Sequence, residues 1–176
     1  MQRLVFILAL ILTATCSTAD EGNPGAVNSL KVDLDAVVAL GEVTPVDGIT
    51  SAGQPDEAGF RVFAENGYAA VIDIRTDGED RGLDEPAVVE ALGMEYVSFP
   101  VGRGDITVEK AAELDALLQQ YDEPVLVHCG SANRVGALFA LQAFSETGDA
   151  ELALEVGRQG GLTGHEDIVK EAMKVE

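Results

Sequence analysis

The stretch Pro124-Val-Leu-Val-His-Cys129-Gly-Ser-Ala-Asn-Arg134-Val-Gly-Ala-Leu138 carries most of the information in this chain. Its opening is a short apolar run of the kind that forms a buried strand. Its end, continuing to Phe144, is an apolar helical segment. Between them lie a cysteine, four small or polar residues and an arginine. In an open parallel sheet, ligands bind beyond the carboxyl ends of the strands, and Cys129 lies at such an end. The backbone N–H groups of Gly130, Ser131, Ala132, Asn133 and Arg134 open the helix. There they can curl towards a common centre, and the helix dipole adds positive potential. Arg134 can present two donors to two oxygens of an oxyanion. The same field favours the thiolate form of Cys129. A lone strand cysteine is usually an inert small hydrophobe, but strand, cysteine, short loop, arginine and helix in this order pair a nucleophile with an anion cradle.

The neighbouring segments set that motif in an α/β frame. Gln54-Pro-Asp-Glu57 opens a helix with proline at its first position, and Gly67 closes it. Tyr68 to Ile74 reads as a buried strand, Glu85 to Leu92 as a helix ended by Gly93, and Met94 to Phe99 as a strand stopped by Pro100. Thr107 caps a helix whose apolar positions Ala111, Leu114, Leu117, Leu118 and Tyr121 recur at helical spacing. Two more helices follow, from Asp149 and from about His165. Strands separated by helices of this length imply crossover connections and a mostly parallel sheet in a three-layer α/β/α fold.

The 176 residues suit one domain, at 47% hydrophobic and 24% charged. Eleven basic residues against 31 acidic ones give a net charge of −20, which disfavours a nucleic-acid partner or an anionic membrane surface. At the N-terminus, Arg3 precedes the apolar run Leu4 to Leu12, and small residues follow to Ala19. This is the pattern of a secretory signal peptide over residues 1–19, with cleavage before Asp20. The run is too short for a membrane span, which needs about 20 residues. A leader without regular structure is expected over residues 20–29, and the single domain over residues 30–176. The protein is therefore expected to be exported, periplasmic or secreted. Lipidation of Cys16 is the weaker alternative, because the residues around it fit a lipobox poorly.

Four segments, in order, make the chain resemble the phosphatase-like domain of the beta-lactamase-hydrolase-like family, a relative of the dual-specificity and tyrosine phosphatases. They are Ser51-Ala-Gly-Gln-Pro55, Val71-Ile-Asp-Ile-Arg75 with Asp77-Gly-Glu79, Glu95-Tyr-Val-Ser-Phe-Pro-Val101, and His128-Cys129 to Arg134. The resemblance implies a cysteine-phosphatase fold with Cys129 as nucleophile and Arg134 as anion-binding residue. It implies a phosphocysteine intermediate and a phosphorylated small substrate. One departure matters. Tyrosine phosphatases place five residues between cysteine and arginine, and this chain has four, a loop like that of rhodanese sulfurtransferases. A relay of sulfane sulfur through a Cys129 persulfide is therefore the alternative, and a non-catalytic anion- or partner-binding module a second one.

Asp105, preceded by Gly102 and Gly104 and two residues before a helix cap, is the expected general acid, against the plainer reading that it stabilises a turn. Asp77, Glu79 and Asp80 compete for the role. His128 precedes Cys129 on the strand, so its side chain points away from the thiol and is expected to orient the loop through hydrogen bonds. No metal site and no cofactor are expected.

Overall fold

The computed structural model describes residues 29–174. The expected signal peptide, residues 20–28 of the expected leader and the last two residues of the expected domain lie outside the described residues.

Two elements precede those legible in the sequence. Helix α1 (Leu34–Leu40) is capped by Asp33, whose carboxylate accepts the Ala36 N–H, and strand β1 (Ile49–Ala52) is buried on both faces. Then follow α2 (Glu57–Glu65), β2 (Ala70–Asp73), α3 (Glu85–Ala91) and β3 (Glu95–Ser98). A short 3-10 turn (Arg103–Asp105) leads to α4 (Val108–Leu118), β4 (Val125–His128), α5 (Asn133–Thr147), α6 (Ala150–Gln159) and α7 (Glu166–Ala172). The four strands are all parallel in the order β1-β4-β2-β3.

Strand alternation sorts the core into two layers. Ala70, Ile72, Val125 and Val127 pack with residues of α4, α5, α6 and α7. Val71 and Leu126 pack on the other face with Val37 of α1, Phe60 and Phe63 of α2 and Val89 of α3. The expected three-layer α/β/α architecture is therefore the observed one.

Local boundaries follow capping chemistry. Thr107 Oγ1 accepts the Lys110 N–H, as its position predicts. Helix α2 departs from expectation: Asp56, not Pro55, sets its start, because the Asp56 carboxylate accepts the Gly59 N–H at 2.8 Å and leaves proline outside the cap.

Between α5 and α6 the packing is backbone against backbone. A Cβ at Gly136 would lie 2.2 Å from Leu162 N and 2.4 Å from Gly157 O. That contact brings the turn after α6 onto the loop that follows β4.

Candidate active site

Strand β4 lies between β1 and β2, with His128 in register with both Ala52 and Asp73. Cys129 therefore leaves the carboxyl edge near the middle of the sheet, where parallel α/β folds bind ligands. It is 1% exposed and belongs to the α4–α7 side of the core.

The loop after it is held from two directions. The Cys129 N–H points to Ala52 O at 3.4 Å, and Gly53 and Ser131 form an isolated antiparallel bridge. On the other side, Asn133 Oδ1 accepts the Thr163 and Gly164 N–H groups at 2.8 and 3.0 Å. Asn133 thus spends its amide oxygen on the turn before α7, which leaves its backbone N–H and its Nδ2 as the donors an anion could use. Ala132, the N-cap of α5, has φ 65°, the left-handed region, and is fully buried. This turn lets α5 start immediately beside Cys129. Among the described residues, the N–H groups of Gly130, Asn133 and Arg134 donate to no protein acceptor.

Arg134 is pinned end-on. Its Nη1 and Nη2 donate to Glu79 Oε1 and Oε2 at 2.6 and 2.5 Å, and Nη1 also donates to Val101 O at 3.1 Å. The two donors expected to meet a substrate oxyanion therefore include a pair already committed to a carboxylate. A guanidinium carries five N–H donors, so the edge formed by Nε and the second Nη2 hydrogen remains. The Glu79 hydrogen bonds raise the Arg134 pKa above its ordinary value, and Cys129 contributes to the same shift by its charge and a hydrogen bond to the guanidinium. Thiol and guanidinium thus act on each other electrostatically.

Glu79 is held by more than Arg134. It also accepts the Thr76 N–H and hydroxyl at 2.8 and 3.0 Å. The Arg134 hydrogen bonds lead in bringing its pKa down to about 2, against desolvation that raises it. The ion pair with Arg134 thus holds Glu79 in its charged form, which accepts rather than donates hydrogen bonds. Asp80 accepts the Gly82 N–H in its own loop. Asp105 accepts the Gly102 N–H at 2.9 Å within the 3-10 turn. Its carboxyl is engaged in the turn, as the plainer reading held, and exposed.

Beneath the loop lies a buried ionic cluster that the sequence reading missed. Asp73 accepts from Arg75 N, Nε and Nη2, from Arg81 Nε and from the Tyr96 hydroxyl. Arg75 Nη2 also donates to Glu85, and His128 Nε2 is 2.7 Å from Glu85 Oε1. Asp73, Arg75, Glu85 and His128 are all fully buried. Burial raises the Asp73 pKa, but hydrogen bonds from Arg75 and the nearby His128 outweigh it and bring the value to about 2. The His128 side chain lies on the face opposite Cys129, as alternation requires, and packs edge-on against Phe60. Its side-chain bond runs to α3 rather than to the loop, so it secures the strand end and not the loop itself. Donor atoms of Asp73, Glu85 and His128 lie within 4.8 Å of one another, a spacing that suits a metal ion, but the Arg75 guanidinium already serves as the cation of that cluster. The signal was an aspartate and an arginine inside an apolar strand, Val71-Ile-Asp-Ile-Arg75.

The chain is similar to much longer proteins. It is 31% identical over 97 residues to the beta-lactamase hydrolase-like protein of Agrobacterium fabrum, covering 53% of this chain and 22% of that one. It is 35% identical over 94 residues to the Xylella fastidiosa protein of the same name, covering 51% and 22%. The match thus spans about a fifth of those relatives. Among solved structures, a candidate phosphatase of Neisseria meningitidis superposes with TM-score 0.60 at 20% identity, over 69% of this chain and 91% of that one. Tk-PTP in its active form superposes with TM-score 0.53 at 21% identity, over 72% and 91%. At these identities the structures speak to the fold. The family model for the phosphatase-like domain of the beta-lactamase hydrolase-like protein matches residues 42–145, which takes in β1, the Glu79 loop and the whole Cys129–Arg134 loop, and the chain belongs to that family.

Proposed function

We propose that this phosphatase-like domain is an exported, cysteine-dependent phosphomonoester hydrolase. The observation that carries the reading is the guanidinium of Arg134, locked end-on by Glu79 at the start of the helix that follows Cys129, with its Nε–Nη2 edge left for a tetrahedral anion. Cys129 Sγ attacks phosphorus in line with the ester oxygen. Arg134 and the free loop amides hold the equatorial oxygens as charge shifts onto them. The S–P bond forms as the P–O bond breaks, and the departing alkoxide takes a proton, for which Asp105 is the proposed donor. Water then attacks the phosphocysteine, giving phosphate and the free thiolate.

A second reading is favoured by the four-residue spacing and by the engagement of Asp105 in its own turn. In it, the Cys129 thiolate takes the outer sulfur of thiosulfate, releasing sulfite, and passes it to an acceptor thiol. Sulfite is a good leaving group, so this route needs no acid.

Mass spectrometry of the full chain after incubation with p-nitrophenyl phosphate or with thiosulfate separates the two. Phosphoryl on Cys129 and vanadate-sensitive turnover support the first reading. A single added sulfur, with no phosphoryl adduct, overturns it in favour of the second. Export is tested by whether the chain recovered from the producing cell's periplasm or medium begins at Asp20.

A further inference from the structure

A cavity of about 340 Å³ opens beside the Cys129–Arg134 loop, lined by Lys31, Val32, Asp33, Leu34, Asp35, Gly53 and Ser131. Ser131 is two residues from Cys129, a stretch that spans at most about 7 Å. Gly53 is the residue bridged to Ser131. The cavity therefore borders the reaction centre, and nothing in the chemistry derived above uses it.

Its charges are unusual for this chain. Among the described residues, every lysine and arginine except Lys31 lies within ion-pair distance of a carboxylate. In a protein of net charge −20, this ammonium, without an ion-pair partner among the described residues, stands on the wall of a cavity beside the loop. Its backbone is fixed: Lys31 bridges Ser51 at the outer side of β1, Ser51 N–H donates to Leu30 O, and Lys31 N–H donates to Gln159 O. Opposite in sign, Asp33 is committed as the α1 cap, whereas Asp35 makes no side-chain hydrogen bond or ion pair among the described residues. Lys31 and Asp35 share the cavity without pairing with each other.

We infer that this cavity binds the non-reacting part of the substrate, and that this part is a zwitterion of the α-amino-acid type. Its carboxylate meets Lys31 and its ammonium meets Asp35, while the phosphoryl group lies over Cys129. The global charge supports this choice. A second anionic group brings the repulsion of a strongly acidic protein with it, whereas a zwitterion adds no net charge. The inference rests on the phosphatase reading for the identity of the reacting group, but the subsite itself can be tested without turnover.

The probes are O-phospho-L-serine, phosphoethanolamine, which lacks the carboxylate, and phosphoglycolate, which lacks the ammonium. Calorimetric titration of the full chain carrying Cys129→Ser should show O-phosphoserine binding about fivefold tighter than either partial analogue, the upper range for single exposed ion pairs. Adding Lys31→Ala should abolish the advantage over phosphoethanolamine only, and adding Asp35→Ala the advantage over phosphoglycolate only. Equal affinity for all three, or loss of both advantages with either substitution, overturns the subsite. If the native chain turns over none of the three esters nor an aryl phosphate while this binding pattern holds, the phosphatase reading fails and the subsite stands. Turnover of aryl phosphate with no preference among the three has the opposite meaning.

Discussion

Glu79 and Arg134, 55 residues apart in sequence, meet through two parallel hydrogen bonds of 2.6 and 2.5 Å. The contact orients the guanidinium and consumes one of its edges, so Glu79 positions the arginine rather than reacting. Glu79→Gln keeps the shape but removes the charge. Because hydrogen bonds to charged groups are worth about 1.5–3 kcal/mol, kcat/KM for p-nitrophenyl phosphate should fall roughly 10- to 100-fold. A rise in activity would show instead that Glu79 competes with substrate for Arg134.

Asp105 accepts one backbone N–H in its turn and is exposed. If it swings in as acid, Asp105→Asn should slow alkyl phosphate hydrolysis about 10²- to 10⁴-fold and leave p-nitrophenyl phosphate nearly untouched. The alkaline limb of the pH profile should flatten with it. Equal, small losses on both esters would leave Asp105 a turn-former.

Acid should weaken the fold through two carboxylates. Glu79 drops from 4.5 to about 2 and Asp73 from 3.8 to about 2 in the native state. For a depressed carboxyl the unfolded chain binds the proton first, so the stabilisation is complete above about pH 5 and disappears as pH falls towards 2. Urea midpoints measured across that interval should decline, and Glu79→Gln should make the decline shallower.

Arg75 is the cation between Asp73 and Glu85 in a fully buried cluster. Arg75→Met should cost about 3–5 kcal/mol in denaturant unfolding, because it removes the buried cation that Asp73 and Glu85 share. A loss under 1 kcal/mol would mean that water or rearrangement neutralises the cluster.

Two backbone positions under the loop should respond with opposite sign. Gly136→Ala puts a methyl against Gly157 O and Leu162 N, and should destabilise by at least about 1–3 kcal/mol. Ala132→Gly relieves the left-handed conformation at φ 65°, which costs a non-glycine residue about 1–2 kcal/mol, and that gain offsets the lost methyl packing. Its melting temperature should stay within a few degrees of the native chain or rise. A large drop would mean that the methyl contact with Gly161 matters more than the strain.

The α/β alternation, the Thr107 cap, the position of Cys129 at a strand end and the opposite facing of His128 were legible in the sequence alone. Each depends on residues within a few positions of one another, where strand alternation, helical periodicity and capping act. Strand β1 was not legible, since Ile49-Thr-Ser-Ala52 is too short and too polar to show a pattern, and pairing with β4 makes it a strand. The Glu79–Arg134 contact, the Asp73–Arg75–Glu85–His128 cluster, the Asn133 bonds to the turn before α7 and the closeness of Lys31 to Ser131 were likewise decided only by the tertiary structure. All four join residues brought together by sheet order and helix packing. A charged residue's partner is chosen by that geometry and by the cost of leaving a buried charge unpaired, and neither leaves a local trace in the order of the amino acids.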